Sequence, residues 1–269
     1  MQAKIRVLVA DDASTVHSFF ASTLAGWSDP IDLVSAHDGR ECMEKLEHGG
    51  IDLAFIDINM PEMSGLEAVG VARFRGVKTF VTLMSVRASE ARFQLARQLK
   101  AYEFLVKPFG ASDIENVMRT FQRVSAPTKA LIVDDSATVR RMIQKIAAGS
   151  IFRVTSEEAA DGTSAIEKFA EGKHDIVFLD CNMPGIDGLQ TLTELRARSP
   201  LARVIMISSE RNEERMRIAQ QLGAIDFIYK PFYAPDVDRV LHKAYGLAPP
   251  GLVAPRAPNE PDAFFQASA

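Results

Sequence analysis

Four acid, hydroxyl and ammonium features recur in order along the chain, each closing an apolar run. They are Asp11-Asp12, Asp57, Ser85 and Lys107-Pro108, then Asp134-Asp135, Asp180, Ser208 and Lys230-Pro231. Three carboxylates gathered in one place oppose full ionisation, because like charges at close range disfavour one another. A bound divalent cation resolves that conflict, and hard oxygen ligands with positions left for water suit Mg2+. A Ser hydroxyl and a Lys ammonium in the same pocket would bind the oxygens of a phosphoryl group. The chemistry open to this set is in-line phosphoryl transfer onto a carboxylate, with Asp57 or Asp180 as nucleophile and an acyl phosphate as product. Taken singly, each feature has a plainer reading. Asp12 before Ala-Ser-Thr suits a helix cap, the Ser a turn, and Lys-Pro a strand stop. The whole set, twice in the same order, favours the chemistry.

The two sets align at a constant offset of 123, which also carries Gly39 onto Gly162. A period this long means duplicated domains rather than a solenoid. Within the first copy, strands are expected near 5–10, 31–35, 53–57, 79–84 and 103–106. Helical stretches are expected near 14–24, 40–47, 65–74, 89–99 and 113–124. The second copy follows suit, with strands expected near 130–133, 153–155, 176–180, 203–207 and 226–229. Continuous apolar strands separated by helices argue for a parallel sheet covered on both faces. The fold class expected is α/β: two tandem flavodoxin-like, doubly wound five-stranded sheets of order 2-1-3-4-5. That order makes strands 1 and 3 neighbours, so their terminal carboxylates meet in the crevice beyond the sheet's carboxyl edge. The expected domains are 1–125 and 126–247. A Pro/Ala-rich tail, 248–269, reads as disordered, with Phe264-Phe265 as two aromatics in a loose end.

Composition narrows the rest. At 269 residues, 47% hydrophobic and 25% charged, the chain has the make-up of two ordinary globular domains. Net charges of −2, −1 and −1 on the two copies and the tail leave no basic footprint for nucleic acid. No apolar run reaches the roughly 18 residues of a membrane span. Two distant cysteines, Cys42 and Cys181, and no secretory pattern point to a reducing, cytoplasmic setting. Cys181 reads as packing, Met60 and Met63 as fillers, and His17 as a solvated surface histidine rather than a phosphoryl relay.

The stretches "VADDAST…FIDINMP…LMSV…FLVKPF" and "IVDDSATVRR…FLDCNMPGIDG…MISSE…FIYKPF" resemble the CheY-like receiver domain of bacterial response regulators. The resemblance covers the chain to about residue 247. It implies phosphorylation of Asp57 and Asp180 by a histidine kinase or a histidine phosphotransfer protein. It implies Mg2+ held by Asp12 and Asp135, by Asp11 and Asp134 through water, by the acceptors, and by the carbonyls of Asn59 and Asn182. Ser85, Lys107, Ser208 and Lys230 would contact the phosphoryl group, the Lys-Pro bonds would be cis, and Phe104 and Phe227 would be the aromatic switch. Arg87 and Glu210 differ at the position that tunes phosphoryl lifetime. Lys100 stands where the second copy has Gly223, so helix four is expected to end differently. Helix one lacks the Arg140-Arg141 of the second copy.

The function so implied is phosphorylation-dependent signalling, not enzymatic turnover. Output would be protein–protein contact with an unknown downstream protein, gating of one domain by the other, or a homodimer formed on phosphorylation. Alternatives are a phosphate sink, the regulatory part of a longer protein with a missing output domain, and an Mg2+-dependent phosphohydrolase. The phosphohydrolase is disfavoured by the lack of a DxD acceptor pattern and of any cap insertion.

Overall fold

The computed structural model describes residues 4–87 and 89–247; the expected tail, with Phe264-Phe265, lies outside them. The described chain divides into two compact units between Phe121 and Gln122, a point inside the last helix of the first set of elements. The first runs β1 Ile5–Ala10, α1 Ser14–Leu24, β2 Ile31–Ala36, α2 Gly39–His48, β3 Leu53–Asp57, α3 Gly65–Phe74, β4 Phe80–Ser85, α4 Glu90–Gln98, β5 Glu103–Val106 and α5 Ala111–Ser125. The second runs β6 Thr128–Val133, α6 Ala137–Gly149, β7 Val154–Ala159, α7 Gly162–Glu171, β8 Ile176–Asp180, α8 Gly188–Arg198, β9 Arg203–Ser208, α9 Glu213–Gln221, β10 Asp226–Tyr229 and α10 Ala234–Ala244.

Both sheets are parallel, ordered β2-β1-β3-β4-β5 and β7-β6-β8-β9-β10. The expected doubly wound fold is therefore the observed one. β3 and β8 are central, and all five residues of each are buried. Helices cover both faces, so these strands read as unbroken apolar runs rather than alternating ones. Phe55 and Phe178 are wholly buried, and such a side chain contributes about 2–3 kcal/mol by leaving water. One core face of the first unit joins Leu8, Ala54, Ile56 and Leu83 to Leu46, Val69 and Phe104. Its counterpart joins Leu131, Val177, Leu179 and Met206 to Leu192, Leu195 and Phe227.

Two details depart from expectation. β7 extends to Ala159, well past the expected 153–155, because each of its residues pairs with β6 up to Val133↔Ala159. As an edge strand it tolerates Ser156, Glu157 and Glu158, whose polarity hides it from a hydrophobic pattern. The fourth helices end alike rather than differently. Lys100 adopts φ 53° and Gly223 φ 95°, and the amides after each helix return to matching carbonyls, Ala101 to Ala96 and Ala224 to Ala219, both at 2.9 Å. The cap is imposed by the turn into the next strand, so the lysine is held in a left-handed conformation that glycine takes freely.

Candidate functional site

Strand register assembles the site. In the first unit Ala10 pairs with Ile56, Asp57 with Met84, and Ser85 with Val106. Asp11, Asp57, Ser85 and Lys107 therefore leave four adjacent strands at one level, on the carboxyl edge where β1 is flanked by β2 and β3. In the second unit Val133 pairs with Leu179, Asp180 with Ile207, and Ser208 with Tyr229. Asp134, Asp180, Ser208 and Lys230 follow the same path.

Lys107 Nζ lies 2.6 Å from Asp11 Oδ2 and 2.7 Å from Asp57 Oδ1. Lys230 Nζ lies 2.8 Å from Asp134 Oδ2 and 2.7 Å from Asp180 Oδ1. The Lys107 and Lys230 amides donate to the Ser85 and Ser208 carbonyls at 2.8 Å, and both Lys-Pro bonds are cis. Each central-strand carboxylate also takes a turn amide, Asp57 Oδ2 from Asn59 at 2.7 Å and Asp180 Oδ2 from Asn182 at 2.9 Å. The first Asp of each pair holds the start of the following helix, Asp11 Oδ1 accepting from the Ala13 amide and Asp134 Oδ1 from that of Ser136. Asp12 is not the helix cap: Ala13 occupies that position, without a side-chain bond.

Asp11, Asp57, Asp134 and Asp180 are buried. Burial raises the pKa of Asp57 and Asp180, against the lowering pull of the lysine hydrogen bond and charge. Burial also works against the Lys107 and Lys230 charges, but their two carboxylate partners outweigh it and raise their pKa values. Each pocket thus sets two buried carboxylates against one ammonium.

The expectation that three carboxylates meet is fulfilled by two. Asp12 and Asp135 are exposed, and among the described residues no three Asp, Glu, His or Cys side chains gather closely enough to hold an ion. The donor set nonetheless fits Mg2+, which is held by one or two carboxylates with water and phosphate oxygens completing its shell. The excess negative charge on Asp11 and Asp57 is what such a cation would offset.

The other residues singled out in the sequence lie as follows. Asn59 and Asn182 are exposed at the mouth, and Ser85 and Ser208 are buried beside it. Arg87 and Glu210 are exposed two residues further on. Phe104 and Phe227 are buried on β5 and β10, and Phe104 packs against Phe93 with ring centroids 4.8 Å apart. Cys181 is buried in the core, where loss of solvent pushes its thiol up to about 11; Met60 and Met63 pack in the first unit's own core. His17 is neither solvated nor free. It is half-buried, its Nε2 donates to the Asp11 carbonyl at 2.7 Å, and its ring meets His37 at 4.4 Å. Arg140, at the matching position, donates to the Asp134 carbonyl at 2.7 Å. The histidine and the arginine brace the same backbone.

A family model described as "Response regulator receiver domain" matches residues 7–119 and 130–242. The chain belongs to the response regulator receiver family. The chemotaxis protein CheY of Listeria monocytogenes serovar 1/2a is 45% identical over 116 residues, 43% of this chain and 97% of that protein. CheY of Bacillus subtilis strain 168 is 42% identical over 113 residues, 42% of this chain and 91% of its own. A crystal structure described as a putative two-component system response regulator/GGDEF domain protein aligns over 91% of this chain and 99% of that one. Its 24% identity and TM-score of 0.62 show a shared fold. Receiver domains are signalling modules rather than classical enzymes, and phosphorylation-dependent signalling is the activity this membership supports. Among the described residues no helix is long and apolar enough to cross a membrane.

Proposed function

We propose that residues 1–125 and 126–247 form two receivers, each accepting a phosphoryl group on its own aspartate, Asp57 or Asp180. The donor is a histidine kinase or a histidine phosphotransfer protein: its N–P bond breaks as the Asp oxygen–phosphorus bond forms. The observation that carries this reading is the buried carboxylate pair sharing one inward-aimed lysine, found twice. Asp11, Asp12, Asp57 and the Asn59 carbonyl, with Asp134, Asp135, Asp180 and the Asn182 carbonyl, would hold Mg2+. The ion supplies charge neutralisation to the incoming phosphoryl oxygens. Lys107 and Lys230 neutralise the acceptor and its product. Ser85 and Ser208 donate a hydroxyl to a phosphoryl oxygen, and Phe104 and Phe227 change packing in response. Arg87 and Glu210 set different surroundings at the two mouths. Output is by contact with a protein partner in the cytoplasm.

Labelling the full chain with radioactive acetyl phosphate and Mg2+ tests the assignment. Asp57→Asn and Asp180→Asn are each expected to remove one site's label, and the double variant all of it. Stable label on the double variant would refute the acceptors.

A further inference from the structure

No sequence motif singles out the arginine that the fourth helix of each unit carries into the pocket. Arg92 on α4 and Arg215 on α9 are 123 apart, and both reach the asparagine two residues past the acceptor. Arg92 Nη2 donates to Asn59 Oδ1 at 3.1 Å, and Arg215 Nη1 donates to Asn182 Oδ1 at 2.8 Å. Beyond that shared bond they diverge. Arg92 Nη1 donates to Ser85 Oγ at 2.6 Å and to the Arg87 carbonyl at 3.2 Å. Arg215 Nη2 instead meets Asp187 Oδ2 and the Cys181 carbonyl, both at 3.4 Å, and the Ser208 hydroxyl donates to the Glu210 carbonyl at 2.8 Å.

The cause lies one helix away. Asp187 caps α8 where Ser64 caps α3, each within a capping box. The carboxylate of Asp187 gives Arg215 an ion-pair partner; the hydroxyl of Ser64 offers none. Among the described residues Arg92 pairs with no carboxylate. A phosphoryl group on Asp57 that engages the Ser85 hydroxyl would therefore bring anionic oxygens beside an uncompensated guanidinium, whose planar fork suits phosphate.

We propose that Arg92 binds the phosphoryl group on Asp57 as a second cation beside Lys107, and that Arg215, held by Asp187, does not do so on Asp180. The proposal rests on Asp57 being the acceptor. Its consequence is a longer-lived phosphoryl group on Asp57. In hydrolysis water attacks phosphorus, the bond to the Asp57 oxygen breaks, and carboxylate and inorganic phosphate result. Arg92 is already fixed on Asn59 Oδ1 and Ser85 Oγ, a placement that fits the tetrahedral acyl phosphate rather than the planar, in-line transition state. An interaction stronger in the ground state than in the transition state lowers the rate, so decay slows.

The test follows decay of radioactive acyl phosphate in the full chain loaded from acetyl phosphate and Mg2+. Asp180→Asn isolates the first site and Asp57→Asn the second. Arg92→Gln is expected to shorten the Asp57 phosphoryl lifetime about fivefold, the size of one solvent-accessible charge pair, with Arg92→Lys retaining most of it. Arg215→Gln should leave the Asp180 lifetime within about twofold. Ser64→Asp, which keeps the arginine and the helix cap but supplies a carboxylate, should shorten the Asp57 lifetime in the same direction. Asp187→Ser should lengthen that of Asp180. Label that forms on Asp57 and decays unchanged, or more slowly, in both Arg92→Gln and Ser64→Asp would overturn the proposal while leaving the acceptor assignment standing. A complete lack of label in the Asp180→Asn chain would overturn both.

Discussion

Asp57 and Asp180, the proposed acceptors, are buried carboxylates, and their ionisation works against the fold. Burial raises their pKa above the ordinary 3.8, so the folded chain binds these protons more tightly than the unfolded one. The associated stability is present below the unfolded pKa and is lost as pH rises through the folded pKa. At neutral pH each of these ionised carboxylates weakens its own unit. Asp57→Asn leaves Lys107 with a single carboxylate partner, Asp11. It is expected to raise the unfolding temperature at pH 7 in EDTA, with a smaller gain near pH 4. Thermal melts at the two pH values check this, and an equal or larger gain at pH 4 would contradict it. The acidic and basic members of the site were legible because each closes an apolar run. Arg92, Arg215 and the bracing role of His17 were not, since side chains on a helix face show no signal of which strand end they reach. The one available hint was that Arg92 and Arg215 occupy equivalent places in the repeat.

At the scale of elements, the late glycine of each acceptor loop is explained by how closely α3 and α8 approach the acceptor strand. A Cβ on Gly65 would lie 2.1 Å from the Asp57 carbonyl oxygen, and one on Gly188 2.2 Å from that of Asp180. Gly65→Ala must push the helix or the acceptor backbone aside. It is expected to cost about 1–3 kcal/mol, read by urea denaturation, and to slow labelling of Asp57 specifically. Normal labelling with normal stability would show that the close approach is dispensable. The end of α4 offers the reverse case. Lys100 occupies a left-handed conformation that glycine fills in the second unit, so Lys100→Gly should stabilise the first unit by about 1 kcal/mol. Residue type is a poor guide to how these helices end, because lysine and glycine adopt the same left-handed turn. The path from helix to β5 or β10 dictates that conformation whichever residue is present.

For the whole molecule, two pockets of matching make-up are expected to act as two acceptors. With both aspartates present, total label at saturation should approach twice that of either single variant. A total no greater than one site would mean that occupation of one receiver suppresses the other, the signature expected of gating. Metal dependence should be equally plain. Each carboxylate pair already has a lysine partner without an ion, so EDTA is expected to abolish labelling while leaving the far-ultraviolet circular dichroism unchanged. A chain that unfolds in EDTA would assign the ion a structural role instead.

The duplication, the parallel α/β architecture, the strand order and the acids, serines and lysines at the strand ends are all legible in the amino-acid sequence. Hydrophobic period and residue type at an element's end are local properties, written into consecutive residues and repeated at 123. Tertiary packing alone sets that two of the three expected carboxylates meet in each pocket, that Lys100 turns left-handed, and that Arg92 faces Ser85 while Arg215 faces Asp187. Those outcomes depend on distances between segments far apart in the chain, where register and helix placement choose the partner and a single distant side chain, Ser64 or Asp187, can redirect a charge.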